Sequence, residues 1–252
     1  MGRDARWAIG PPTAQTGIMT QVTLHVWRVP RRALPAVLGR MAVDRRRLRD
    51  TPGVRFAKML GTGTGTGFGP TDADLTRWAA LVVWDDDAAA AGFDETSVAR
   101  SWQRISTGAA RIDLRPVASR GTWSGVKPFA PAGGRPTGPV LALTRARLRP
   151  RRAVTFWRSV PPVVSALHGA PGLITTFGVG EAPVGWQGTV SVWRSAADLV
   201  GFAYRQPEHR AAIARTLQTG WYAEELFARF AVHGVTGDRS VLGWCDVADD
   251  DG

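Results

Sequence analysis

One cysteine, Cys245, is all that 252 residues contain, so no intrachain disulfide can form and a reducing compartment is expected. Lysine is nearly as scarce. Of 32 basic residues only Lys58 and Lys127 are lysines, and arginine carries the formal net charge of +11. A basic excess of this kind can serve nucleic acid or an acidic membrane surface. The arginines are scattered rather than gathered in one stripe, however, and no nucleic-acid-binding motif accompanies them, so nucleic acid is not expected as a partner. The densest run, DRRRLRD (Asp44–Asp50), suits a helix C-terminus, where cations complement the helix dipole. Long apolar runs are missing too. Nothing approaches the roughly 20 apolar residues of a spanning helix, and the first 20 residues lack the apolar centre of a signal peptide. A soluble, cytoplasmic protein is expected, with residues 1–20 a loose tail, Met19 an alternative start, and residues 237–252 an acidic second tail. Peripheral contact with a membrane and self-association both stay open.

The chain does contain an echo of itself. VPRRAL (Val29–Leu34) returns as RPRRAV (Arg149–Val154), TPGV (Thr51–Val54) as APGL (Ala170–Leu173), LGTG (Leu60–Gly63) as FGVG (Phe177–Gly180), and VVWDDDAAAAGF (Val82–Phe93) as SVWRSAADLVGF (Ser191–Phe202). The order is the same in both halves. The offset shrinks steadily from Pro30/Pro150 to Trp84/Trp193, as it does when a duplicated unit loses short pieces between landmarks. This pairing matches Gly61 with Gly178 and Trp84 with Trp193.

Periodicity says what each copy is. VTLHVWRV alternates like a half-buried strand, and Leu34, Val37, Leu38 and Met41 then follow helical spacing. Strands follow near Val54–Leu60 and Trp78–Trp84. Asp85–Asp87 offers an N-cap to an Ala-rich helix, and Arg111–Val117 closes the unit with a last alternating run. The second copy reads likewise: GPVLALTRARL, one helix from Pro150, LITTFGVG, QGTVSVW, a helix from Ser195, and ELFARFAV. The fold class is α+β, a tandem of ferredoxin-like βαββαβ repeats, spanning residues 21–130 and 138–236 with the Pro/Gly-rich PAGGRPTG (Pro131–Gly138) between them. Each sheet has one face covered by its own helices and one left bare. Packing the bare faces together gives an eight-stranded barrel of the dimeric α+β type.

Chemistry is harder to find. GTGTGTGFG (Gly61–Gly69) lacks the Gly-Lys-Ser/Thr ending of a phosphate loop and opens no helix as the dinucleotide fingerprint does. Repeated glycine lets backbone approach another surface closely, either the barrel rim or a flat ligand, at Gly61 and Gly63. His25, His168, His209 and His233 form no zinc spacing and no nucleophile–base pair. His209 lies within the helical PEHRAAIARTL. A single helical imidazole can hold haem iron, but is more often a surface or satisfied residue.

The strings TPGVRFAKMLGTGTGTGF, RGTWSGVKPF, GPVLALTRA, FGVGEAP and HRAAIARTLQTGWYAEELFARF, in that order between about Gln21 and Gly234, resemble the spheroidene monooxygenase family, the acyclic carotenoid 2-ketolases. The resemblance implies haem b as cofactor, dioxygen as oxidant, a ferredoxin-type electron donor and an apolar small-molecule substrate. It implies His209 as the proximal iron ligand, since no other residue matches that place. Lys58, Arg120 and Ser124 become candidates for the catalytic face, and Glu224 or Glu225 for orienting His209. Trp123, Phe129, Phe177, Trp186 and Trp221 become candidates for an apolar, aromatic-lined cavity, with Gly61 and Gly63 close to the cofactor. Two other readings remain: a haem enzyme of nitrogen chemistry, such as aldoxime dehydration or N-oxygenation, and a ligand-binding barrel without turnover. The actual substrate, electron donor and oligomeric state are not legible.

Overall fold

The structure is a computed structural model that describes residues 20–65, 72–131, 133–181, 186–206 and 219–244. The first half runs β1 (Gln21–Arg28), α1 (Leu34–Arg49), β2 (Val54–Gly63), β3 (Ala73–Trp84), α2 (Asp87–Ala91), α3 (Ser97–Gln103) and β4 (Gly108–Gly121). The second runs β5 (Val140–Leu148), α4 (Ala153–Trp157), α5 (Val160–His168), β6 (Leu173–Gly180), β7 (Trp186–Trp193), α6 (Ala196–Arg205) and β8 (Tyr222–Gly237). The strands close into one barrel in the order β1-β3-β2-β6-β7-β5-β8-β4, every neighbour antiparallel.

The two halves repeat down to their irregularities. Gln21 pairs with Trp84 where Val140 pairs with Trp193. A bulge between Val54 and Phe56 returns between Leu173 and Thr175. Gly53 and Gly172 both take the left-handed backbone, φ 79° and 77°, in the turns before β2 and β6. Their carbonyls accept the N–H of Asp85 and Arg194, each at 2.8 Å. The glycine echo itself needs correcting by two residues. Gly61 stands opposite Trp78 and Gly180 opposite Gln187, six residues before the paired tryptophans, so Gly61 corresponds to Gly180 and not to Gly178. Gly61 and Gly180 then face each other across the β2–β6 seam, as a pseudo-twofold relation between halves requires.

Helix boundaries depart from the sequence pattern where breakers intervene. The Ala-rich helix, capped by Asp86, stops at Gly92, and Thr96 caps a separate α3 by accepting the N–H of Ala99. The single helix expected from Pro150 is two: Pro161 and Pro162 stand at the start of α5, where a missing N–H costs nothing, rather than inside a continuous helix.

Inward alternation fills the barrel. Val22, Leu24 and Val26, then Ala79, Leu81 and Val83, Ile112 and Leu114, Leu141 and Leu143, Val190 and Val192, and Leu226 and Phe230 are buried together. Both ends are stoppered. At one, Val241 and Leu242 of a 3₁₀ turn (Arg239–Leu242) join this core, and Thr175 Oγ1 donates to the Leu242 carbonyl at 2.7 Å. At the other, the connection between halves brings in Trp123 and Phe129, the latter edge-on to Phe230 at 4.9 Å. Burying each such side chain stabilises the fold by about 1.5–3 kcal/mol, and the barrel lumen is therefore core rather than cavity.

Candidate functional site

Two features stand apart from this apolar core. The first is a set of charges at the Trp123 end. Lys58 shares the inward parity of Phe56 and Leu60 on β2, Arg145 that of Leu141 and Leu143 on β5, Glu181 that of Phe177 and Val179 on β6, and Glu224 that of Leu226 and Ala228 on β8. Alternation thus aims four charges from four strands at one point. Lys58 Nζ donates to Glu181 Oε2 and to Ser124 Oγ, both at 2.7 Å. Arg145, 3% exposed, donates to Glu181 Oε1 at 3.0 Å and to Glu224. Trp123 Nε1 donates to Glu181 Oε1 at 2.6 Å, with the Arg145 guanidinium 5.4 Å from its ring. Thr122 Oγ1 and the Gly125 N–H donate to Glu224 Oε1 at 3.1 and 2.8 Å. Ser124, between them, is in the left-handed region at φ 56°.

Two cations and two carboxylates balance here. Burial pushes the Glu181 carboxyl up, but hydrogen bonds from Lys58 and Trp123 and the charges of Lys58 and Arg145 outweigh it and leave the pKa below the usual range. Burial also opposes the Glu224 charge, yet the Gly125 N–H, Arg145 and the Ser124 N–H bring it down to about 2. At neutral pH both carboxylates are ionised and engaged. The network is suited to closing the barrel and holding the Trp123 turn rather than to moving protons.

The second feature is a difference between the halves on the sheet faces beneath the helices. In the first half the outward residues are Trp27, Met59, Trp78, Ala80, Val82 and Trp84, sealed by Phe93 and Trp102. His25 lies in the same layer, its ring 3.9 Å from that of Phe93. Ladder register gives their counterparts: Ala146 for Trp27, Thr144 for His25, Gly178 for Met59, Thr189 for Ala80 and Ser191 for Val82. Only Trp193 keeps the bulk of its partner, Trp84. Thr144, Ala142, Thr176 and Thr189 are half-buried where Thr23, His25, Ala57 and Ala80 are buried. Among the described residues the second-half sheet therefore presents a floor of small side chains where the first half carries Trp27 and Met59, with Ala142 packed against the cluster of Leu167, Trp193 and Phe202.

The expected site residues distribute over these features. Lys58, Ser124 and Trp123 meet in the charge network. Phe129 and Phe177 belong to the barrel core, Phe177 with the Arg77 guanidinium 4.8 Å from its ring, so with Trp123 they do not line an open cavity. Trp221 is apart from them: it packs edge-on against Phe156 of α4 at 5.6 Å, and its Nε1 donates to Thr155 Oγ1 at 3.0 Å. Gly61 and Gly63 form the β2–β6 seam, where a Cβ on Gly63 would come within 3.0 Å of the Asp72 carbonyl, while one on Gly61 would meet only ordinary contacts with Trp78 and Gly180. Arg120 is exposed, 3.6 Å from Glu225 and stacked over Phe227 at 4.9 Å. Phe227 pairs directly with Thr144, which puts Arg120 and Glu225 at the edge of the small-residue floor. Trp186 opens β7. His209 lies outside the described residues. His25, the second imidazole that could be considered for iron, is buried between Trp27 and Phe93 and bonded to Thr23 Oγ1 at 2.9 Å, so it is enclosed in first-half core. Arg145 and Glu181 escaped the sequence reading, although a charge on the inward parity of an alternating strand was the available signal.

No family model matches the chain. It is 38% identical over 211 residues to a spheroidene monooxygenase of Rhodobacter capsulatus, covering 81% of this chain and 86% of that protein. It is 36% identical over 187 residues to a spheroidene monooxygenase of Rubrivivax gelatinosus, covering 74% and 72%. Among solved structures an aldoxime dehydratase superposes with a TM-score of 0.58 at 13% identity, over 87% of this chain and 83% of that one, a likeness of fold.

Proposed function

The chain belongs to the spheroidene monooxygenase family, and from that premise we propose that it is a haem-dependent monooxygenase that oxidises a carotenoid or a comparably long apolar molecule with dioxygen. Membership makes it an oxidoreductase. The small-residue floor of the second half carries the cofactor reading, because the barrel lumen is filled and the first-half layer is sealed by indoles. The small, largely apolar sheet face at Thr144, Ala146 and Gly178 is the one we assign to a flat, largely apolar group such as haem b. His209, within the segment that joins α6 to β8, is the residue proposed to hold the iron. Arg120, stacked on Phe227 at the edge of the floor, is placed to meet an anionic edge of the group. Bound there, haem supplies the activation of dioxygen. The chain's own part is to exclude water, to orient the apolar substrate along the same sheet face, and to admit electrons, for which a ferredoxin-type donor is proposed. The likeness to aldoxime dehydratase is one of fold and gives no separate support to nitrogen chemistry.

The test is haem reconstitution of three proteins. The wild type is expected to take up one haem per chain with a Soret band. Ala146→Trp, which installs the first-half indole in the floor, and His209→Ala are each expected to reduce stoichiometric uptake by at least tenfold while leaving the far-ultraviolet spectrum unchanged. Full uptake by a folded Ala146→Trp protein would remove the floor from consideration. Turnover is read as incorporation of ¹⁸O from ¹⁸O₂ into an acyclic carotenoid with reduced ferredoxin, sampled early because ketone oxygen exchanges with water.

A further inference from the structure

Helix α1 buries one side only. Val37, Asp44 and Leu48 are buried against the first-half layer, and Asp44 accepts from Trp102 Nε1 at 3.1 Å and Ser101 Oγ at 3.3 Å. Leu38, 63% exposed, and Val43, 48% exposed, stand about 140° apart at the two margins of the outward face. Pro35, Ala36, Gly39 and Ala42 are exposed around them, so the apolar surface is continuous over the first three turns. Arginine brackets it at both ends. Arg31 and Arg32 precede the helix, and Arg45, Arg46, Arg47 and Arg49 crowd its last turns, all exposed. Between positions 31 and 50 seven arginines stand against two aspartates, one of them the buried Asp44. The helix is about 24 Å long.

We propose that this face of α1 seats the protein on an anionic lipid surface. Leu38 and Val43 enter the boundary between headgroups and acyl chains, and the flanking guanidinium groups meet lipid phosphates while their stems lie along the apolar zone. The stripe suits lipid better than a protein partner. Protein interfaces are anchored by aromatic side chains in shaped pockets, whereas Pro, Ala, Gly, Leu and Val form a smooth strip without a polar handle, which a fluid apolar phase covers without shape complementarity. One contact holds the end of α1 beside the charge network and leaves Arg45 engaged with the protein: its Nη2 donates to the main-chain oxygen of Glu181.

The experiment is sedimentation of the full chain with vesicles, read without haem or substrate, so that its outcome is independent of the proposed activity. The wild type is expected to pellet with phosphatidylglycerol/phosphatidylcholine vesicles and to remain in the supernatant with phosphatidylcholine alone. Leu38→Ser with Val43→Ser, and separately Arg46→Ser with Arg49→Ser, are each expected to lower the partition coefficient about tenfold, with solution melting temperatures unchanged because these side chains are exposed. Three results would overturn the proposal: no binding of folded wild type to the anionic vesicles, equal binding to phosphatidylcholine, or undiminished binding of the Leu38/Val43 variant. Capture of an acidic protein through α1 with no vesicle binding would overturn it as well.

Discussion

His25 shows how completely a position is decided by its neighbours. Trp84 Nε1 donates to Thr23 Oγ1 at 2.8 Å, and Thr23 in turn meets His25 Nε2 at 2.9 Å, so the neutral ring suits this chain of bonds. Burial, and after it the charge of Arg111, hold the His25 pKa well below the ordinary histidine value. The sign of the effect follows. As pH falls through about 6.5 the unfolded chain takes up a proton that the folded chain refuses, so stability is full above that pH and declines below it. Urea unfolding at about pH 7.5 and about pH 5.5 is expected to show this loss in the wild type and a flatter response in His25→Phe, whose ring fits between Trp27 and Phe93. Equal pH responses would mean that His25 is not the group responsible.

At the scale of elements the repeat is a matter of turns as much as of strands. Thr-Pro-Gly before β2 and Ala-Pro-Gly before β6 both need glycine for the same two reasons: a positive φ, and no room for a Cβ. At Gly53 that atom would stand 2.5 Å from the Ala89 Cβ on α2, and at Gly172 2.4 Å from Asp198 on α6. Each turn thereby lets the strand pass under the helix that follows its neighbour. Gly53→Ala and Gly172→Ala are each expected to lower stability by about 1–3 kcal/mol, measured by chemical denaturation. A neutral effect at either position would show that the turn can relax, and would weaken the argument that the two turns are equivalent.

Across the whole molecule the two halves share one closed barrel, and inward side chains from strands of both are buried in a single cluster. Arg145 ties this together at one end: from β5 it reaches Glu181 after β6 and Glu224 on β8, and Glu181 continues to Lys58 on β2. Removing it leaves two carboxylates buried with fewer partners. Arg145→Ala is expected to cost about 3–5 kcal/mol, and unfolding followed by tryptophan fluorescence and by far-ultraviolet dichroism is expected to remain one coincident transition. Separate transitions for the two signals would mean that the halves unfold independently.

What was legible in the residues was whatever repeats or alternates. Period-two and helical spacing located the strands and the main helices, the duplicated landmarks revealed the βαββαβ tandem, and two bare sheet faces in one chain implied the barrel. The cap within Asp85–Asp87 and the helix start at Ser195 were readable because their chemistry is local. Interruptions inside helices were less so, since Gly92 and the Pro161–Pro162 pair act through backbone hydrogen bonds that a periodic pattern does not register. Inward parity could mark single charges, but not their meeting, because Lys58, Arg145, Glu181 and Glu224 lie far apart in sequence and only barrel closure makes them neighbours. The contrast between the two helix–sheet layers is the same kind of fact. Ala146, Thr144 and Gly178 are unremarkable in sequence, and they become a floor only when ladder register sets them beside Trp27, His25 and Met59. Local patterns determine the elements, because the forces that shape them act within a few residues. Register and closure decide the site, because only tertiary packing brings distant side chains to a common surface.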